Sequence, residues 1–214
     1  MTESESKRLF DKFNPVSDIV RCPNGRAIVR KALDIYAQAA VNLYGIIRRD
    51  EFVKIFNSQN TDQTTSEEVY ILLLPLVLKS GWYGFYKDYI VHYAVLHDFD
   101  WVENLEAHQA DKPRYIPERE EFLKYADENY EDNDHWWNVH KFLFNAFGYS
   151  KNTSDGFEEI KNYLINSSGI HELGSILDKY NLIFNEENQM QEFLQLLMTA
   201  RNNSRIWENN GYTA

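Results

Sequence analysis

A single cysteine, Cys22, in 214 residues excludes an internal disulfide and any zinc site built on several cysteines. Glycine and proline are sparse, nine and five, so no stretch has the composition of a flexible or Pro-rich linker. There is no run of about 18 apolar residues, the length a membrane-spanning helix needs. The longest apolar run, Val69 to Leu78, is broken by Pro75. The N-terminal MTESESKRLF is polar and lacks the apolar core of a signal peptide. These absences predict a cytoplasmic protein with no membrane association and no cofactor. A catalytic motif is also missing, and the class of enzyme survives only because an unfamiliar chemistry need not carry a known motif.

What the chain has in abundance is aromatic residues: 14 Tyr, 13 Phe and 5 Trp. Such side chains bury large areas, so a packed core is expected rather than a disordered chain. The formal net charge of −11 is unevenly spread. Residues 1–100 hold 12 basic and 13 acidic side chains, whereas residues 101–214 hold 10 and 20. The second half should therefore repel phosphate backbones. Residues 21–54 run the other way, with seven Arg or Lys against three acids.

Along the chain, Val29, Leu33, Tyr36, Ala37, Ala40 and Tyr44 recur at helical spacing, and Gly45 is placed to end that helix. In IIRRDEFVKIFN, Phe52, Val53 and Phe56 make one face of a short second helix. Thr65 and Glu68 have the spacing of a capping box that starts a third, which Pro75 should kink or end. GWYGFYKDYIVHYAV then changes period, with aromatic and β-branched residues flanking Lys87-Asp88, the pattern of a small hairpin. Helix, turn, helix, helix, hairpin from Val29 to Leu96 is the element order of a winged-helix module. Beyond it, amphipathic stripes on Phe122–Tyr130, Trp136–Phe147, Phe157–Leu164, Ile170–Tyr180 and Met190–Leu197 predict a C-terminal α-helical bundle. The reading is mainly α, with an extension at 1–25, a winged-helix-like region at 26–110 and a bundle at 117–214.

Three segments, VNLYGIIRRDEFVKIFNSQN, KPRYIPEREEFLKYADENY and QEFLQLLMTARNNSRIWENNGYTA, resemble a group of uncharacterised helical proteins from Gram-positive bacteria. Some members of that group carry a SEC-C type metal-binding segment, rich in Cys and His, after the last motif. This chain ends at GYTA with no Cys cluster, so the resemblance implies no metal site and no activity assignable to a residue.

The candidate sites follow from these patterns. Arg26, Arg30, Lys31, Arg48, Arg49 and Lys54 can neutralise phosphates, but SEEVYILLLPLVLKSG, where a base-reading helix belongs, is apolar and should bury instead. Of Trp82, Tyr83, Phe85, Tyr86, Tyr89 and Tyr93, alternation sends about half to the core. The remainder would form an exposed patch for a protein partner. The densest polar motif, ARNNSRIWENNGYTA, offers Asn202, Asn203, Arg205, Trp207 and Asn209 to a ligand or partner; the structural alternative is a C-terminal helix ending in an Asn-Gly cap, with Trp207 packed as an anchor.

Other residue types read as structural. His92, His97, His108, His135, His140 and His171 have no i, i+4 pairing of the kind helical zinc sites use. The eight acids of Glu118–Asp134 form a solvated helix face, and DENYEDND lacks the central Gly and terminal Glu of a calcium loop. Cys22 sits in a turn, RCPNG, with no catalytic partner assignable by spacing. The expected role is a protein-interaction or adaptor module, self-association included. The alternative is a nucleic-acid-binding regulator that uses the basic face.

Overall fold

Gly45 is where the first helix stops, and the reason is local. Its φ of +72° is open to glycine at little cost, and its N–H closes on the Val41 carbonyl. The helix it ends, α1 (Ala27–Tyr44), begins a computed structural model that describes residues 25–96, 98–127, 130, 134–166 and 170–213. Cys22, His97 and residues 1–24 lie outside the described residues.

Three residues after the glycine pair as β1 (Ile46–Arg48), followed by α2 (Arg49–Gln59) and α3 (Ser66–Ser80). The predicted cap of α3 is present on one side only. Thr65 Oγ1 accepts from the Glu68 N–H, while the Glu68 carboxylate turns away to Arg26 and Thr64. Of the two outcomes expected at Pro75, a kink or an end, the end does not occur. The helix runs on to Ser80, because Val69, Leu72 and Leu73 pack without exposure and α3 lies along α1. Tertiary packing can hold a helix across the one hydrogen bond that proline removes.

The hairpin forms as read, β2 (Tyr83–Tyr86) and β3 (Tyr89–His92), with Lys87 at positive φ in its turn. The strand missing from the sequence reading is β1. It pairs antiparallel with β3 (Ile46 opposite Val91, Arg48 opposite Tyr89), giving the sheet order β1-β3-β2. Three residues are too few to show a period of two, and their partner lies more than 40 residues away.

Both faces of this sheet are covered. Ile47, Tyr83 and Ile90 join the core under α1, α2 and α3. Ile46, Tyr89 and Val91 join Val102 and Leu105 of α4 (Phe99–Gln109) and Trp207. After the helix-free connector and a short α5 (Arg119–Lys124), Phe122 and Tyr125 close the first core. Four further helices follow: α6 (Asp134–Phe147), α7 (Lys151–Asn166), α8 (Leu173–Lys179) and α9 (Glu187–Asn202). They share their own core, with α6 packed on α7 and α9, and Trp136, Leu143, Ile160, Phe193 and Leu197 at its centre. The protein is thus mainly helical with a small three-stranded antiparallel sheet. Among the described residues no helix is long and apolar enough to cross a membrane.

Candidate functional site

The six basic residues do not gather as one free cationic face. Arg26 donates to Glu68 through Nε at 2.6 Å and also reaches the Gln63 carbonyl. The Glu68 carboxyl is held below its ordinary range by that guanidinium. Arg48 pairs with Asp50, and Arg49 with Asp88 while its guanidinium lies over the Tyr70 ring. Arg30 is half-buried, and Lys31 and Lys54 are exposed on α1 and α2.

The hairpin aromatics divide differently from the simple alternation. Tyr83 is fully buried, its hydroxyl donating to Asp34, and burial pushes its pKa up. Tyr89 is buried on the opposite face, where it donates to Glu106; burial and that carboxylate push its pKa to about 12. On that face Tyr89 is covered by α4 and Trp207. Tyr86 and Phe85 are half-buried, Phe85 against Tyr70. Trp82 and Tyr93 remain outside, edge to face at 6.1 Å.

What does lie open is the outer side of α3, which the sequence reading assigned to the interior. Tyr70, Ile71 and Leu78 are 40%, 59% and 70% exposed, beside Trp82 at 53%. Glu67, Tyr70, Ile71, Leu74 and Leu78 share one face by helical spacing. Arg, Asn or Gln, the usual readers of base edges, are absent from that row.

The C-terminal motif, offered as a binding surface, is largely used inside the molecule. Trp207 is 3% exposed, and its indole N–H donates to the Asn42 carbonyl on α1. Gln109 Nε2 donates to both the Tyr44 and Trp207 carbonyls at 2.7 Å. Asn210, in the left-handed region, donates to the carbonyls of Gln109 and Lys112. Arg205 donates to the Tyr125 hydroxyl and the Gly211 carbonyl, with its guanidinium 3.6 Å above the Tyr115 ring centre. Asn209 accepts from Lys112. Asn202 and Asn203 stay exposed at the end of α9. The motif is a clasp that ties the chain end to α1 and to the connector. Its partners Gln109 and Asn42 lie outside the motif, and nothing local marks them.

The histidines separate into surface and interior. His108 and His171 are exposed, and His135 is half-buried. His140 stacks between Trp137 and Phe144. His92 is 8% exposed, against Trp207 at 4.9 Å and Tyr93 at 4.5 Å. Its Nδ1 accepts from the Ala94 N–H, so in the neutral ring the proton sits on Nε2. Burial pushes its pKa down to about 4, which keeps the ring neutral at ordinary pH. Among the described residues, no group of three or more His, Cys, Asp or Glu is placed to hold a metal ion.

His92 also lines a concavity. A recess of about 200 Å³ opens beside it, between Asn42 and Tyr93 on one wall and Glu158, Lys161 and Asn162 of α7 on the other. At Ala94, Asn162 and Asn166 it meets a trough of about 650 Å³ bounded by α4, α7 and α8. Comparison of the chain with protein-family models, with curated proteins and with solved structures finds no match.

Proposed function

We propose that this is a protein-interaction module in which a winged-helix-like unit (α1 to β3), braced by a C-terminal helical bundle, offers the outer face of α3 to a partner protein. The fold reading is supported by the order α1-β1-α2-α3-β2-β3 and the sheet order β1-β3-β2. One observation carries the functional reading: the helix in the recognition position exposes Tyr70, Ile71 and Leu78 rather than polar donors. Large apolar side chains grouped on one face favour a contact that removes them from water, at about 25 cal/mol per Å² buried. The pairing of Arg26, Arg48 and Arg49 with carboxylates weighs against a phosphate-binding face.

The test is photo-crosslinking from a residue introduced at position 71 or 78, with Lys151 as a control position, alongside sedimentation over a wide concentration range. A second copy as partner gives a concentration-dependent dimer that Leu78→Lys weakens at least tenfold. A different partner gives one discrete adduct from both α3 positions and none from 151. A monomer at all concentrations with no adduct specific to α3 would overturn the reading.

A further inference from the structure

A polar pocket of about 300 Å³ lies where the clasp meets β3, and we propose that it binds a free α-amino acid as the zwitterion. Five parts of the chain build it: Glu51 from α2, Tyr89 from β3, Gln109 from the end of α4, Arg114 from the connector and Asn210 from the chain end. The anchoring observation is Asn210, which lines the pocket and is only 2% exposed. Its Nδ2 donates to the Gln109 and Lys112 carbonyls, which fixes the orientation of the amide. Its Oδ1 is buried and has no hydrogen-bond partner among the described residues. A buried acceptor left unmet costs free energy that an N–H donor entering the pocket recovers.

The charges around Asn210 define the rest of the ligand. Glu106 accepts from the Tyr89 hydroxyl, and Lys112 donates to the Glu208 carbonyl and the Asn209 side chain. Both line the pocket, yet among the described residues neither forms an ion pair, with the other or elsewhere. Opposite charges that share one small pocket without meeting suit a ligand that carries both. Arg114 adds a more enclosed cation, its side chain 14% exposed and its guanidinium over the Tyr44 ring. Its Nη2 reaches Glu51 at 3.1 Å and its Nη1 the Ile46 carbonyl. The ligand carboxylate takes Lys112 and Arg114 in charge-assisted hydrogen bonds, and the ammonium takes Glu106 and Asn210 Oδ1. A dicarboxylate would bring like charge to Glu51 and Glu106 and no donor for Asn210. A polyamine would meet Arg48, Lys112 and Arg114. The volume is at the small end of ligand sites, which suits a single amino acid.

The experiment uses the full chain and each of the common free L-amino acids at ~10 mM, enough to fill a site with a dissociation constant of about 1 mM. Thermal unfolding should shift up by about 2–4 °C with one amino acid, or a few of related side chain, and not with the rest. Calorimetric titration then compares the best of them with its N-acetyl form and its carboxamide, each of which lacks one of the two charges. Both analogues should bind about tenfold more weakly or worse. Glu106→Gln and Lys112→Met, at exposed positions, should each weaken the free amino acid about three- to tenfold. The analogues separate recognition from damage to the fold. Lys112→Met should narrow the preference over the carboxamide, and Glu106→Gln the preference over the N-acetyl form. Should either variant not fold, the analogue series on the unaltered protein still decides. No stabilising amino acid, analogues that bind as well as the free form, or the same preferences in both variants would each overturn the proposal. Failure here leaves the α3 reading standing, because no α3 residue lines the pocket.

Discussion

Trp207→Ala is expected to destabilise the protein by about 3–5 kcal/mol, the range for removing a large aromatic from a packed interior. The indole fills the space between the sheet and α4, in the cluster with Ile46, Val91 and Leu105, and its N–H satisfies the Asn42 carbonyl. Truncation leaves both a cavity and an unmet acceptor. The same contact explains why Gly45 must be glycine. A Cβ there would stand 2.5 Å from Trp207 Cδ2 and 2.9 Å from Leu105 Cδ2, at a φ that costs other residues about 1–2 kcal/mol. Gly45→Ala alone should therefore cost several kcal/mol. In the Trp207→Ala background it should cost less, with the strain at φ and the Leu105 contact remaining. Urea unfolding of the four proteins, followed by circular dichroism, measures the cycle. A loss below about 1 kcal/mol for Trp207→Ala, or strict additivity, would show that the clasp does not bear on stability as the packing implies.

Acid should cost the protein about 3 kcal/mol through His92 alone. The ordinary histidine pKa is about 6.5, and burial pushes that of His92 to about 4. Between these values the unfolded chain binds a proton that the folded chain refuses. Stability is therefore full above pH ~6.5 and falls as pH drops toward ~4. Across the recess beside His92, Glu158 and Lys161 of α7 are the charged groups on the facing wall, and Tyr93 adjoins the ring. His92→Phe keeps a ring against Trp207 but removes the titration, so its stability should change less between pH 7 and 4.5 than that of the unaltered protein. Urea midpoints of both proteins at several pH values give the difference. The carboxylates held low by cations, such as Glu68 beside Arg26, are common to both and cancel. Parallel pH profiles would refute the assignment to His92.

These two effects arise from residues that the sequence treats unequally. Trp207 stands out as an aromatic in a dense polar motif, readable as a partner contact or as a packed anchor, and the structure buries it as the second. His92 was one histidine of six, with no spacing to distinguish it. The Ala94 contact, the Trp207 ring and the recess that single it out come from β3, the chain end and α7. On α3 the composition was plain, but which apolar side faced inward was not: a helix apolar around most of its surface gives no stripe to orient it.

Residue types and spacing alone determined where the helices and the hairpin lie. A helix stripe, a glycine terminator such as Gly45 or Gly148, a Thr65 cap and the Lys87-Asp88 turn act within a few residues, where local backbone energetics dominate. Only the tertiary structure decided which faces stay open. The exposure of Leu78, the burial of Tyr89 and the burial of His92 depend on what packs from elsewhere in the chain, as Trp207 does on a glycine 162 positions before it. Burial is a sum over distant neighbours, and no short window of sequence contains its terms.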